Sequence, residues 1–289
     1  MSGLPNGSGA PGAQRIRAAF QRADADGRSA LLVFLAAGDP DHDTTLALAR
    51  ASVAAGADIV ELGVPFSDPL ADGPVIQAAY TRALAGGSTT AGTLACAGRV
   101  AKETGAPVVL MVAYNCVLAS GEDAFCRAAA QAGVSGILVP DLPLEDADTL
   151  RTAAEAHGLG TVFLVAPDSG PERVAAAAAA STGFVYLVRR RGITGSGEGG
   201  VDLPRRVAAA RGAGSVPVAV GFGISTAADV AEVAGEADGV IVGSALVQAA
   251  FDATAGAASE EEGRKAAAEV VGERVRALSA ASATRGAGT

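Results

Sequence analysis

Eight short apolar runs recur along the chain, separated by longer alanine-rich stretches. They are LLVFLA from Leu31, DIVELG from Asp58, PVVLMV from Pro107, SGILVP from Ser135, GTVFLV from Gly160, GFVYLV from Gly183, PVAVGF from Pro217 and GVIVGS from Gly239. Their length and β-branched content suit strands buried on both faces, and the intervening stretches have the length of helices. Parallel strands need crossover connections, so eight such units predict an α/β fold, a (β/α)8 TIM barrel. A doubly wound open sheet is the alternative. Extra helices are expected at the N-terminus, over Gln14 to Ala25, after strand 2, over Ile76 to Ala85 and Thr89 to Glu103, and after strand 8. Residues 1–13 and 281–289 are small, polar and glycine-rich and read as flexible tails around a single barrel domain over 14–280.

Charge and composition narrow the partners. The 289-residue chain carries a formal charge of -9, which argues against nucleic acid or an anionic membrane surface. No run reaches the roughly 18 apolar residues of a membrane helix, and the N-terminus lacks the pattern of a signal peptide. Three cysteines without a CxxC pair suggest a reducing compartment, hence the cytoplasm. His42 and His157 lie far apart among polar neighbours, so no metal site is expected.

Candidate chemistry concentrates in ELGVPFSDPLADGP, from Glu61 to Pro74. A glutamate at the end of an apolar strand is costly unless it is used, because burial removes the hydration of its charge. Alternation along the strand puts Ile59, Glu61 and Gly63 on one face, and Val60 and Leu62 on the face toward the helices. Glu61 therefore points into the barrel mouth, at the carboxyl end of a strand, where barrels keep their active sites. The blander reading is a carboxylate neutralised by a buried base. Asp72 reads either as a second functional carboxylate or as the N-cap of a helix starting near Val75. Asp39 reads as structural, as a helix cap or a brace for the Asp72 loop.

A second constellation is glycine-rich. Gly221-Phe222-Gly223-Ile224-Ser225 follows strand 7, and Gly243-Ser244 follows strand 8 at a helix start. Loops in these places bind phosphate in barrels, because backbone amides approach an anion most closely where side chains are absent. Arg189-Arg190-Arg191-Gly192-Ile193-Thr194-Gly195 after strand 6 could add cover. The alternative is that these glycines serve only as turns and the arginines as a solvated loop.

The segment from Glu61 to Pro74 closely resembles the signature of the tryptophan synthase α subunit family, and the order of the other motifs agrees from about Leu31 to Ala250. The resemblance implies a lyase that cleaves indole-3-glycerol phosphate to indole and D-glyceraldehyde 3-phosphate in L-tryptophan biosynthesis, within an αββα tetramer. It implies Glu61 as general acid and base, and Asp72 as the carboxylate facing the indole nitrogen. It further implies Phe34, Leu110, Tyr186 and Phe222 as the indole pocket, although each of these types equally suits barrel core. Gly195, Gly223, Gly243 and Ser244 would hold the phosphate, and Thr194 would close over the site. Pro65, Asp68, Asp141 and Pro143 would meet the β subunit. No cofactor is expected in this chain, and pyridoxal phosphate is expected only in the β-subunit partner. Two segments depart from the family pattern: Tyr114-Asn115-Cys116, where Tyr-Asn-Pro is usual, and the arginine-rich Arg189 to Gly192. The alternatives are a stand-alone lyase of specialised metabolism, a barrel kept as an allosteric binding subunit, and another phosphosugar barrel such as an isomerase.

Overall fold

A computed structural model describes residues 10–69, 72–189 and 203–283. Eight parallel strands close into a barrel in sequence order, β1 pairing with both β2 and β8. They are β1 (Ala30–Ala36), β2 (Ile59–Gly63), β3 (Val108–Met111), β4 (Gly136–Leu138), β5 (Gly160–Val165), β6 (Phe184–Val188), β7 (Val218–Gly221) and β8 (Gly239–Val242). Each falls within one of the eight apolar runs, except that β1 starts one residue earlier, at Ala30.

Around them run α1 (Pro11–Ala25), α2 (His42–Ala54), α3 (Pro74–Ala85), α4 (Thr90–Thr104), α5 (Tyr114–Leu118) and α6 (Glu122–Gln131). The outer layer is completed by α7 (Asp148–Ala156), α8 (Pro171–Ala180), α9 (Leu203–Ala213), α10 (Ala227–Ala234), α11 (Ser244–Thr254) and α12 (Glu260–Ser282). Local chemistry sets many of the boundaries. Asp41 accepts from the Thr44 amide to cap α2, Thr89 caps α4, and Thr226 with Asp229 forms a capping box on α10. Proline opens α1, α3 and α8, where its missing N–H is not needed. The short α5 after β3 was not expected. Helix α1 starts at Pro11, three residues before Gln14, and α12 runs on to Ser282.

Apolar residues form two shells. The outer shell, with Val60, Leu62 and Leu110, lies between strands and helices, and the inner one, with Ile59, Val109 and Phe184, fills the barrel. Helix α1 plugs the amino-terminal end. Its Ile16 side chain lies 2.8, 3.2 and 3.3 Å from where a Cβ would stand on Gly136, Gly160 and Gly183, and its Phe20 ring 2.6 Å from one on Gly239. Glycine at these positions makes room for the plug, which leaves the carboxyl end as the open one.

Candidate active site

Glu61 is 1% exposed, and neither carboxylate oxygen has a hydrogen-bond partner. No ion pair reaches it among the described residues, so the reading of a carboxylate neutralised by a base does not hold. The register places it between Phe34 of β1 and Val109 of β3, all three facing inward. Burial, with a smaller contribution from Asp72, pushes its pKa from 4.5 to about 8. At neutral pH it is largely protonated.

Asp72 lines the same cavity, which has a volume of about 180 Å³. It does not cap α3: the N-cap is Gly73, and no side chain accepts from the first turn. Burial alone raises its pKa to about 6, so near neutrality it is mostly ionised while Glu61 holds its proton. Among the described residues no hydrogen bond offsets that burial. Asp39 proves structural in a different way from a cap. Its two oxygens accept from Arg82 at 2.8 and 2.7 Å, pinning α3 to the end of β1.

Phe34, Tyr186, Phe222, Gly223, Gly243 and Ser244 line this cavity with the two carboxyl groups. Tyr186 and Phe222 pack with ring centroids 5.9 Å apart. The Tyr186 hydroxyl lies 2.2 Å from where a Cβ on Gly221 would be, so only glycine leaves that ring its place. Phe222 has φ 69°, and among the described residues it is the non-glycine residue in the left-handed region. Such a conformation costs on the order of 1 kcal/mol, and here it turns an aromatic ring into the mouth. Gly243 and Ser244 start the 11-residue α11, whose first amides have no partner within the helix.

Leu110 is a correction. It pairs with Leu62, faces the helices and belongs to the outer shell, while Met111, beside Gly63, lines the cavity. Val75 and Ile76 of α3 and Ile241 of β8 also line it and were not anticipated. The adjacency of Val75 and Ile76 to Asp72 was the available signal. Thr194 and Gly195, with Arg190 to Gly192, lie outside the described residues. Arg189 donates to Glu232 at 2.7 Å and approaches Asp229 at 3.5 Å, so it braces α10.

On the rim, Asp68 and Pro143 are exposed, and Asp141 accepts from the Tyr114 amide at 2.9 and 3.2 Å. Pro65 is buried within the chain, which corrects its expected place on a partner-facing surface. It stiffens the loop from inside. Among the described residues no cluster fit for a metal occurs, and no helix is long and apolar enough to cross a membrane.

Comparison with known proteins agrees with this geometry. The family model described as tryptophan synthase alpha chain matches residues 20–278. The tryptophan synthase alpha chain of Opitutus terrae is 50% identical over 234 residues, covering 81% of this chain and 88% of its relative. That of Prochlorococcus marinus is 48% identical over 250 residues, covering 86% and 91%. Among solved structures, a chain of tryptophan synthase from M. tuberculosis, in an open form with BRD0059 bound, superposes with a TM-score of 0.79 at 38% identity, over 92% of this chain and 98% of that one. Tryptophan synthase subunit alpha from Legionella pneumophila gives 0.79 at 34% identity, over 92% and 97%. With a closed eight-stranded barrel, two carboxyl groups in its mouth and these matches along most of its length, the chain belongs to the tryptophan synthase alpha chain family.

Proposed function

We propose that this chain cleaves indole-3-glycerol phosphate to indole and D-glyceraldehyde 3-phosphate, with Glu61 moving the protons and Asp72 holding the charge that develops on the ring. The observation that carries the reading is a buried glutamate with both oxygens unsatisfied, facing an apolar cavity that it shares with one other carboxylate. In the first step protonated Glu61 gives its proton to indole C3, and positive charge builds on the ring nitrogen. Ionised Asp72 stabilises that charge. The Glu61 carboxylate then takes the proton of the side-chain hydroxyl next to the ring. The carbon–carbon bond breaks, its electron pair returns to the ring, and the alcohol carbon leaves as the aldehyde. Glu61 ends protonated, as it began. General acid–base catalysis of this kind supplies about 10² to 10⁴.

Phe34, Met111, Tyr186 and Phe222 give the indole ring an apolar slot that excludes water, and Gly223, Gly243 and Ser244 offer amides and a hydroxyl to the phosphate. The chain's two lysines, Lys102 and Lys265, lie on the outer helices α4 and α12. Neither lines the mouth, and on this reading pyridoxal phosphate is held by a β-subunit partner. Asp68, Asp141 and Pro143 are the rim residues assigned to that partner, in an αββα assembly in the cytoplasm.

The test is indole release from indole-3-glycerol phosphate by wild type and Glu61→Gln, each with and without a tryptophan synthase β subunit. Weak wild-type turnover that rises with the partner and drops at least 10²-fold in the variant is the expected result. Retention of turnover by Glu61→Gln would refute the assignment. High turnover without a partner would favour a stand-alone lyase.

A further inference from the structure

Tyr80 takes no part in the reaction as written, yet its phenol stands in the barrel mouth. It lies on the inward face of α3 and is 3% exposed. A Cβ built on Gly63 would lie 2.2 Å from its hydroxyl oxygen. Gly63 is the next inward position of β2 after Glu61. The phenol tip therefore fills the place of a missing side chain one rung above the Glu61 carboxyl. Helix α3, which carries Tyr80, is tied to the loop after β1 by Arg82, whose guanidinium donates to both Asp39 oxygens.

Tyr80 also lines, with Asp72 and Met111, a second lobe of the mouth of about 340 Å³. The titratable groups around it are Glu61 from β2, Asp68 and Asp72 from the following loop, Cys116 from α5 and Asp141 from the loop after β4. No arginine, lysine or histidine lines either lobe among the described residues. Burial, with Asp72, Glu61 and Cys116, holds the phenol well above its ordinary pKa, so it keeps its proton at working pH. It is a donor among groups that, once ionised, only accept.

Asp72 needs such a donor. Burial already raises its pKa, and among the described residues no hydrogen bond counters it. Substrate that displaces water from the mouth removes more hydration and favours the neutral acid, which cannot stabilise a cationic ring. We propose that Tyr80 is a positioning residue whose hydroxyl donates to the Asp72 carboxylate in the substrate complex, keeping it ionised and aimed at the ring nitrogen. This rests on the reading of Asp72 given above.

The test is the pH dependence of kcat and KM for indole release by wild type, Tyr80→Phe and Asp72→Asn, each saturated with β subunit. Phenylalanine keeps the ring and its packing. A lost hydrogen bond to a charged group predicts a roughly tenfold to hundredfold fall in kcat with KM little changed. It also predicts that the acid limb of the kcat profile, set by Asp72, moves about one pH unit higher. A Tyr80→Phe profile that overlays wild type while Asp72→Asn collapses would overturn the proposal and leave the role of Asp72 intact. A wild-type profile in Asp72→Asn would overturn both.

Discussion

Replacing Glu61 by glutamine should remove activity and, as the pH rises, make the protein more stable. Burial, then the charge of Asp72, lifts the folded-state pKa from 4.5 to about 8. Because the folded value is the higher one, the native state binds this proton more tightly than the unfolded chain does. Below pH 4.5 both states are protonated and nothing is lost. As the pH climbs from 4.5 to 8 the wild type must either keep a proton that solvent would remove or bury an unpaired anion, and stability falls. Above 8 the loss is complete. At about 1.4 kcal/mol for each pH unit, wild type forfeits roughly 3 kcal/mol at neutral pH and roughly 5 kcal/mol above pH 8. Glutamine has no proton to lose and avoids this. Urea unfolding of both proteins from pH 5 to 9 reads the difference directly. With a slope of about 3 kcal/mol per molar urea, the gap between midpoints should widen by about 1 M between pH 5 and 7. All other titrating groups are common to the two proteins and cancel, so midpoint curves that stay parallel would refute the buried, pKa-shifted glutamate.

Three further outcomes are expected. The kcat/KM of wild type should be bell-shaped with limbs near pH 6 and 8, since it needs Asp72 ionised and Glu61 protonated; in Asp72→Asn the upper limb should move down, because a charge that raises the Glu61 pKa is gone, and kcat should fall about 10²-fold. Ser244→Ala should raise KM about fivefold to tenfold at unchanged kcat, as befits one hydrogen bond to phosphate lost equally in ground and transition states. Arg206 of α9 is buried and donates to the carbonyls of Val165, Ala166 and Val188 at 3.1, 2.8 and 2.8 Å, tying the ends of β5 and β6 together. Arg206→Met should therefore cost about 3 kcal/mol in urea unfolding with little change in KM.

The two carboxyl groups show how far a sequence argument reaches. Glu61 was legible as inward-facing because β2 offers a polar residue against aliphatic neighbours, and the two-residue period leaves only one choice of face. In β3 the run Val-Val-Leu-Met is apolar throughout, so nothing in it marks which residues face the barrel. Leu110 and Met111 were separable only by the pairing with β2. Asp72 before a Gly-Pro helix start satisfies the pattern for a cap, and only the absence of a bond to the first turn assigns it to the cavity.

From its sequence alone, this protein's eight strands, their order, the inward face of β2 and the glycine loops after β7 and β8 were determined. These depend on local periodicity and on residues whose backbone or burial preferences act within a few positions. The tertiary structure decided what depends on parts of the chain far apart in sequence. It brought Asp72, Phe34, Tyr186 and Gly243 into one cavity with Glu61, turned Leu110 outward, buried Pro65 and set the Tyr80 hydroxyl over Gly63. It also set the proton affinities on which the chemistry turns, because hydration is lost only when the barrel closes around the carboxyl groups.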